Sequence, residues 1–217
     1  MDQKEAVVKS PRSYDSTNRR RQAQQTRAAI VEAAREIFVT QGYAATTMPE
    51  VAAGAGVSVE TIYKAFGTKA SLVLAIRDRA LLGGDPVPAE TRSDRLHEEK
   101  ADPREVIDGW GRLAAEVAPR VAPVLLLVRD AAAVDTTLAA LHQEMERDRL
   151  TRMTENAQRL LDGGHLAPGT SLERARDLLF TYSSPELYDV LVMDRGWSTE
   201  DYGQFVAEAL AAALLPS

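Results

Sequence analysis

Thr61, Tyr63, Lys64 and Lys69 fall inside one short stretch, VSVETIYKAFGTKASL at residues 57–72. Hydroxyl, phenol and ammonium groups crowded in this way are hydrogen-bond donors suited to phosphate oxygens and base edges. They suit an ordinary solvated surface equally well. Little else in the chain could do chemistry. There is no cysteine, which excludes disulfides, thiolate zinc sites and a cysteine nucleophile. Three scattered histidines are too little material for a metal cluster. No GxSxG elbow, HExxH pair or phosphate-cradling glycine loop occurs. The adjacent carboxylates Glu98 and Glu99 lie in a polar linker and read as solvated. An enzyme is not expected, nor a cofactor or metal.

The 217 residues carry a formal net charge of −6, unevenly shared. Residues 1–80 hold 12 Lys and Arg against 8 Asp and Glu, a balance of +4. Residues 81–217 hold 14 against 24, a balance of −10. A basic head on an acidic body suggests that only the head meets a polyanion. Hydrophobic residues make up 45%, enough for a sizeable core. The longest apolar run, VAPVLLLV at 121–128, is far shorter than the roughly 18–20 residues of a bilayer span. The polar N-terminus lacks the apolar core of a secretion signal. A cytoplasmic protein with no membrane partner is expected.

The elements that must position the cluster read as helix almost throughout, so the fold class is all-α. Residues 1–23 are polar and without period. They are expected to form a flexible basic arm ending in Arg19-Arg20-Arg21, able to reach along a groove or phosphates. Ile30, Ala33, Ala34, Ile37 and Phe38 share one helical face, and Gly42 follows the last turn. Thr47 with Glu50 is a capping-box pattern, with Pro49 in the tolerant first turn. Ser58 caps a second short helix whose Ile62 and Phe66, four apart, point inward. Val59, Glu60, Thr61, Tyr63 and Lys64 are left outside. Gly67 ends that helix and Thr68 caps the next. Two short helices joined by a glycine-containing turn, behind a longer amphipathic one, make a helix-turn-helix at about 47–66. In that layout one helix enters the DNA major groove and its predecessor braces it.

Residues 83–103 read as a linker with a possible short helix at 92–100. Pro103 opens a helix carrying Val106, Ile107, Trp110, Leu113, Ala114 and Val117 on one stripe, and Pro123 is expected to open another. A long helix over about 136–161 stops at Gly163-Gly164. One over 171–182, a shorter one from Pro185 and a last one after Trp197-Ser198 follow.

Residues 24–84 resemble the DNA-binding domain of the TetR family of bacterial transcriptional repressors. The resemblance rests on Thr26-Arg27, Ile30, Ala33-Ala34, Phe38, Gly42-Tyr43, Thr46-Thr47, Val51-Ala52, Ala55-Gly56-Val57-Ser58, Thr61-Ile62-Tyr63, Phe66 and Lys69, under a third of the chain. It implies an N-terminal three-helix DNA-binding domain at 24–84, after the arm at 1–23. A helical ligand-binding and dimerisation domain at 85–217 would follow. It implies that Thr47, Tyr63 and Lys69 touch phosphates, helped by backbone amides at Thr68 and Lys69 where a helix N-terminus attracts anions. Val59, Glu60, Thr61 and Lys64 would occupy the reading helix. Glu60 either accepts from cytosine or, more simply, pairs with Lys64 four residues on.

The same resemblance implies a homodimer on a palindromic operator, since one such module reads few base pairs. Leu178, Leu179, Tyr182, Phe205, Ala209 and Ala212 are its candidate contacts. A pocket for an unidentified small-molecule effector would be lined by Trp110, Arg129, His142, Met145, Met153 and Asn156. A lone histidine on such a stripe is ordinarily a satisfied core residue. The function implied is a repressor released by its effector. The alternatives are an activator of the same fold and a helical ligand-binding protein that reads no DNA.

Overall fold

The computed structural model describes residues 13–82, 86–100 and 102–216, which contain helices and no strand. The helices are α1 (Ser13–Gln41), α2 (Met48–Ala55), α3 (Val59–Phe66), α4 (Lys69–Leu82), α5 (Ala89–Glu99), α6 (Pro103–Ala132), α7 (Thr136–Asp162), α8 (Leu172–Tyr182), α9 (Pro185–Tyr188) and α10 (Thr199–Leu214). A π-helical turn, Asp189–Asp194, continues α9. Among the described residues no helix is long and apolar enough to cross a membrane, and no cluster of His, Asp and Glu could hold a metal.

The ends of the short helices are set by side chains. Thr47 Oγ1 accepts from the Glu50 amide, and the Glu50 carboxylate accepts from the Thr47 amide at 2.8 Å, completing the capping box of α2. Gly56 stops α2 in the left-handed region, at φ 65°, where a side chain would be strained. Two residues on, Ser58 caps α3 through the Thr61 amide at 3.2 Å.

Two expectations fail. Residues 13–23 are not an irregular arm but the first turns of α1; residues 1–12 lie outside the described residues. Arg, Gln and Ala are strong helix formers, so a stretch with no apolar stripe still extends a helix already nucleated and packed further along. Pro123 does not open a helix either. Pro119 and Pro123 both sit inside the 30-residue α6. Each removes one backbone hydrogen bond, and the loss is offset by α6 packing against α4, α5, α7, α9 and α10.

Two apolar clusters organise the molecule. The first holds Ile30, Ala34 and Phe38 of α1, Val51 of α2, Ile62 and Phe66 of α3, and Leu72, Val73 and Ile76 of α4. It continues without a break into Val124 and Val128 of α6 and Leu138, Leu141 and Met145 of α7. The second joins α6, α7, α8 and α10 through Ile107, Trp110, Leu160, Leu179, Tyr202 and Leu210. Here α6 and α10 cross closely at Gly111 and Gly203. A Cβ at Gly111 would lie 2.4 Å from the Gly203 carbonyl oxygen, and one at Gly203 would lie 2.5 Å from that of Gly111. α5 caps the far side of Trp110: the indole N–H donates to Ser93 Oγ at 2.9 Å, and the His97 ring stands edge-on at 5.2 Å. Asp94 of α5 accepts from Arg152 at 2.7 Å and from Arg159, both on α7.

The crossing predicts that Gly203→Ala, which pushes backbone against backbone, lowers stability by about 1–3 kcal/mol. Gly54→Ala, whose new methyl meets only ordinary contacts beginning at 3.4 Å, should be neutral or stabilising by up to ~1 kcal/mol. Urea melts at one protein concentration compare them. Burial, aided by Arg159 and Arg152, pulls His97 down from 6.5 to about 4. The unfolded chain therefore takes up a proton first, so stability falls as pH drops from 6.5 towards about 4. His97→Gln should flatten the thermal midpoint against pH across that window.

Candidate functional site

α3 turns Ile62 and Phe66 into the core, with 0% and 8% of their surface exposed. That rotation sets Glu60, Tyr63 and Lys64 on the outer face, with Val59 and Thr61 half-buried at its edge. Tyr63 is 49% exposed, a large ring kept in solvent. Thr61 shares a hydrogen with Ser58 Oγ at 2.8 Å. Among the described residues Glu60 and Lys64 form no ion pair, so the simpler reading of Glu60 does not hold. An exposed i,i+4 pair is worth only a few tenths of a kcal/mol, too little to fix two mobile side chains.

Three of the named phosphate donors have local work as well. Thr47 is exposed, but its hydroxyl donates to Glu50 at 2.8 Å within the capping box. The Thr68 amide donates to the Phe66 carbonyl at 2.9 Å and so is spent, while its hydroxyl caps α4 through Ser71 at 3.0 Å. Lys69 is folded back. Its ammonium donates to the Tyr43 carbonyl and lies 4.2 Å from the Tyr43 ring centroid. Burial lowers its pKa below the ordinary lysine value, opposed by the nearby Asp135 and Glu50. An ammonium has three donors, so Lys69 ties the α1–α2 loop to α4 with donors to spare.

Two features went unread in the sequence. Arg27 of α1 donates to the Ala65 carbonyl at 2.6 Å and stacks over the Phe66 ring at 4.1 Å, pinning the end of the reading helix. Arg19, Gln22 and Thr26 share a groove with Thr61 and Lys64. The early turns of α1 thus run beside the reading helix. The arginine run was visible in the sequence; its helical continuation was not.

Between head and body lies a cavity of about 950 Å³, at the upper end of the range for small-molecule sites. Arg27, Ala28 and Val31 of α1 and Ala75, Asp78 and Leu82 of α4 wall it from the head, and α5, α6, α7, α8 and α10 from the body. Trp110, Met145, Met153 and Asn156 line it as expected. Arg129 and His142 do not. Arg129 turns outward to Asp130 and to Glu186 of α9, at 2.9 Å each. His142 sits one turn before Met145, where α7 packs through Leu138 and Leu141 against the head and the cavity has not begun.

The expected dimer face divides. Leu179 is 2% exposed, a core residue that also lines the cavity. Leu178, Tyr182, Phe205 and Ala209 are half-buried and Ala212 exposed. Tyr182 and Trp197 both meet the Phe205 ring edge-on, at 6.3 and 5.7 Å. Trp197, 39% exposed, joins this face through Phe205, and Val190 and Met193 of the preceding π-helical turn are 47% and 63% exposed; none of the three was expected.

Residues 30–76 match the family model for bacterial regulatory proteins, tetR family. The HTH-type transcriptional regulator TtgR of Pseudomonas putida is 47% identical over 57 residues. That alignment spans 26% of this chain and 27% of TtgR, about a quarter of the curated relative's length. Over most of the chain the fold is shared with SmeT in its triclosan complex (TM-score 0.72, 24% identity, 89% of this chain and 93% of that one). It is shared also with NalD, the secondary repressor of the MexAB-OprM multidrug efflux pump in Pseudomonas aeruginosa (0.70, 21%, 91% and 99%). A third is the transcriptional regulator FadR of Bacillus subtilis in complex with stearoyl-CoA (0.68, 21%, 84% and 96%).

The outward Lys64 and the folded-back Lys69 are separable by experiment. Lys69→Ala removes the donor to the Tyr43 carbonyl together with its cation–π interaction, and should cost about 1–2 kcal/mol of stability. Lys64→Ala, at an exposed position with no ion pair to lose among the described residues, should stay within about 0.5 kcal/mol of the parent. Denaturant titration followed by far-ultraviolet circular dichroism reads both.

Proposed function

We propose that this chain, whose head belongs to the tetR family of bacterial regulatory proteins, is a cytoplasmic transcriptional repressor and not an enzyme. It grips a palindromic operator as a homodimer and releases it when a small molecule fills the cavity. The observation that carries the reading is the cavity's double ownership: α1 and α4 of the head and α6 and α7 of the body wall the same space. An occupant therefore pushes directly on the helices that carry the reading helix. Arg77 of α4 bonds Asp148 of α7 at 3.1 Å, across the same gap. Effector binding that displaces α4 alters this pair and the spacing of the two reading helices. A ligand shifts the equilibrium only by its differential affinity for the two states, typically about 1–3 kcal/mol.

Small-molecule control is supported by the neighbours that share the fold, SmeT with triclosan and FadR with stearoyl-CoA. In this reading Tyr63, Lys64 and the spare donors of Lys69 meet phosphates, while Val59, Glu60 and Thr61 face base edges. The linked rings of Tyr182, Phe205 and Trp197 mark the face where a second copy docks, since apolar surface left partly exposed favours an interface.

The test is fluorescence anisotropy on labelled DNA flanking the chain's own gene, titrated at several salt concentrations. Competitor-resistant binding is expected. A Tyr63→Phe, Lys64→Ala double variant should make the dependence of log Kd on log salt shallower, by about one for each phosphate it no longer neutralises. Equal, weak binding to this DNA and to every sequence in a random pool would sink the proposal.

A further inference from the structure

The cavity wall leaves one buried polar group unserved. Asn156 of α7 is 4% exposed and Tyr202 of α10 is 1% exposed, and both border the cavity. The Asn156 amide oxygen is buried without a hydrogen-bond partner. The Tyr202 side chain borders the same space. Native proteins rarely bury a polar group unpaired, and such a group is a reason to look for a missing partner.

The Trp110 indole N–H is taken by Ser93. Three guanidiniums of the wall are already paired: Arg77 with Asp148, Arg149 with Glu146 at 3.1 Å, and Arg152 with Asp94. Arg27 is engaged with the Ala65 carbonyl and the Phe66 ring, and Arg79 is exposed to solvent. A charged ligand that used one of the three paired groups would have to break its pair, which is costly. Trp110, Met145 and Met153 offer a flat ring and two polarisable thioethers, a surface suited to an aromatic body.

We propose that the cavity takes a neutral aromatic molecule bearing a hydroxyl, whose O–H donates to the Asn156 amide oxygen and whose oxygen accepts from Tyr202. This deepens the effector reading above and rests on it. The hydroxyl gives specificity because a ligand without a donor leaves the Asn156 oxygen as unpaired as it was, while still filling the space.

The test uses the full chain and a matched pair of probes, para-phenylphenol and its methyl ether, para-methoxybiphenyl. Quenching of tryptophan emission, to which Trp110 in the cavity wall and Trp197 outside it both contribute, follows binding. The parent should bind the phenol about tenfold or more tightly than the ether. Asn156→Leu should bring the two within about threefold, by weakening the phenol and not by strengthening the ether alone. Asn156→Ser, which keeps a hydrogen-bond acceptor on a shorter side chain, should fall between them, and it decides the matter if the leucine variant melts early. An ether that matches the phenol on the parent overturns the proposal. So does a phenol preference that survives in both variants, or a parent that binds neither probe. Anisotropy on the operator DNA separates this from the regulator reading. DNA binding with no probe binding overturns the cavity chemistry alone. A phenol preference that depends on Asn156, in a chain that reads no DNA, removes the regulator reading and leaves the cavity chemistry standing.

Discussion

The structure depends on α4 being buried from two sides at once. Leu72, Val73 and Ile76, each 0–1% exposed, sit in one cluster with Ile62 and Phe66 of the reading helix and with Val124, Val128 and Leu138 of the body. Burial of one such side chain is worth about 1.5–3 kcal/mol. α4 therefore cannot move freely, and it cannot move without being felt in both cores. A packed helix of this kind shifts as a body between discrete arrangements. α3 is coupled to the body by packing before any ligand is considered. The Arg77–Asp148 pair adds direction to that coupling rather than strength, since Asp148 is 59% exposed and such a pair contributes little.

What could be read from the sequence followed how local its cause was. The capping box at Thr47, the Ser58 cap and the glycine stops are decided within four residues, and their positions were legible. The inward pair Ile62 and Phe66 was legible for the same reason: helical period fixes which residues share a face. Failures came where distant partners decide. Pro123 reads as a helix start from its neighbours alone, yet α6 continues through it because other helices press on it. Gly111 and Gly203 carry no local sign, being spaced as ordinary helix residues. Their role exists only where two backbones meet 92 positions apart in the chain. Arg129 and His142 lie on the right helices and face the wrong way, because a stripe says what is inward and not which of two inward spaces a turn reaches.

The charge asymmetry of the chain takes on a physical meaning in the fold. The head keeps Tyr63 and Lys64 outward while Glu50 is occupied in a cap, its carboxylate held below the usual range by the Thr47 hydrogen bonds. That carboxylate stays ionised, and the partial positive charge of the α2 N-terminus offsets part of its repulsion of a phosphate. In the body many carboxylates are matched to arginines on neighbouring helices, as Asp94 is with Arg152 and Arg159. The excess negative charge of the body resists non-specific contact with nucleic acid, so only the head is favoured to approach it.

The cavity is too large to be a packing defect. An empty, sealed void costs roughly 24 cal/mol per Å³, which for about 950 Å³ would reach on the order of 20 kcal/mol. A domain's entire net stability is about 5–15 kcal/mol. The space must therefore be filled, by water through its charged rim or by a ligand. Water suits the rim, where Asp78 and Asp148 are exposed, and suits the inner wall of Val31, Leu113, Val117 and Leu125 poorly. A mostly apolar occupant gains that inner surface, displaces poorly held water and leaves the ion pairs of the rim intact. A broad apolar wall that water serves poorly, lying between two well-packed cores, is the physical reason to regard the space as a site.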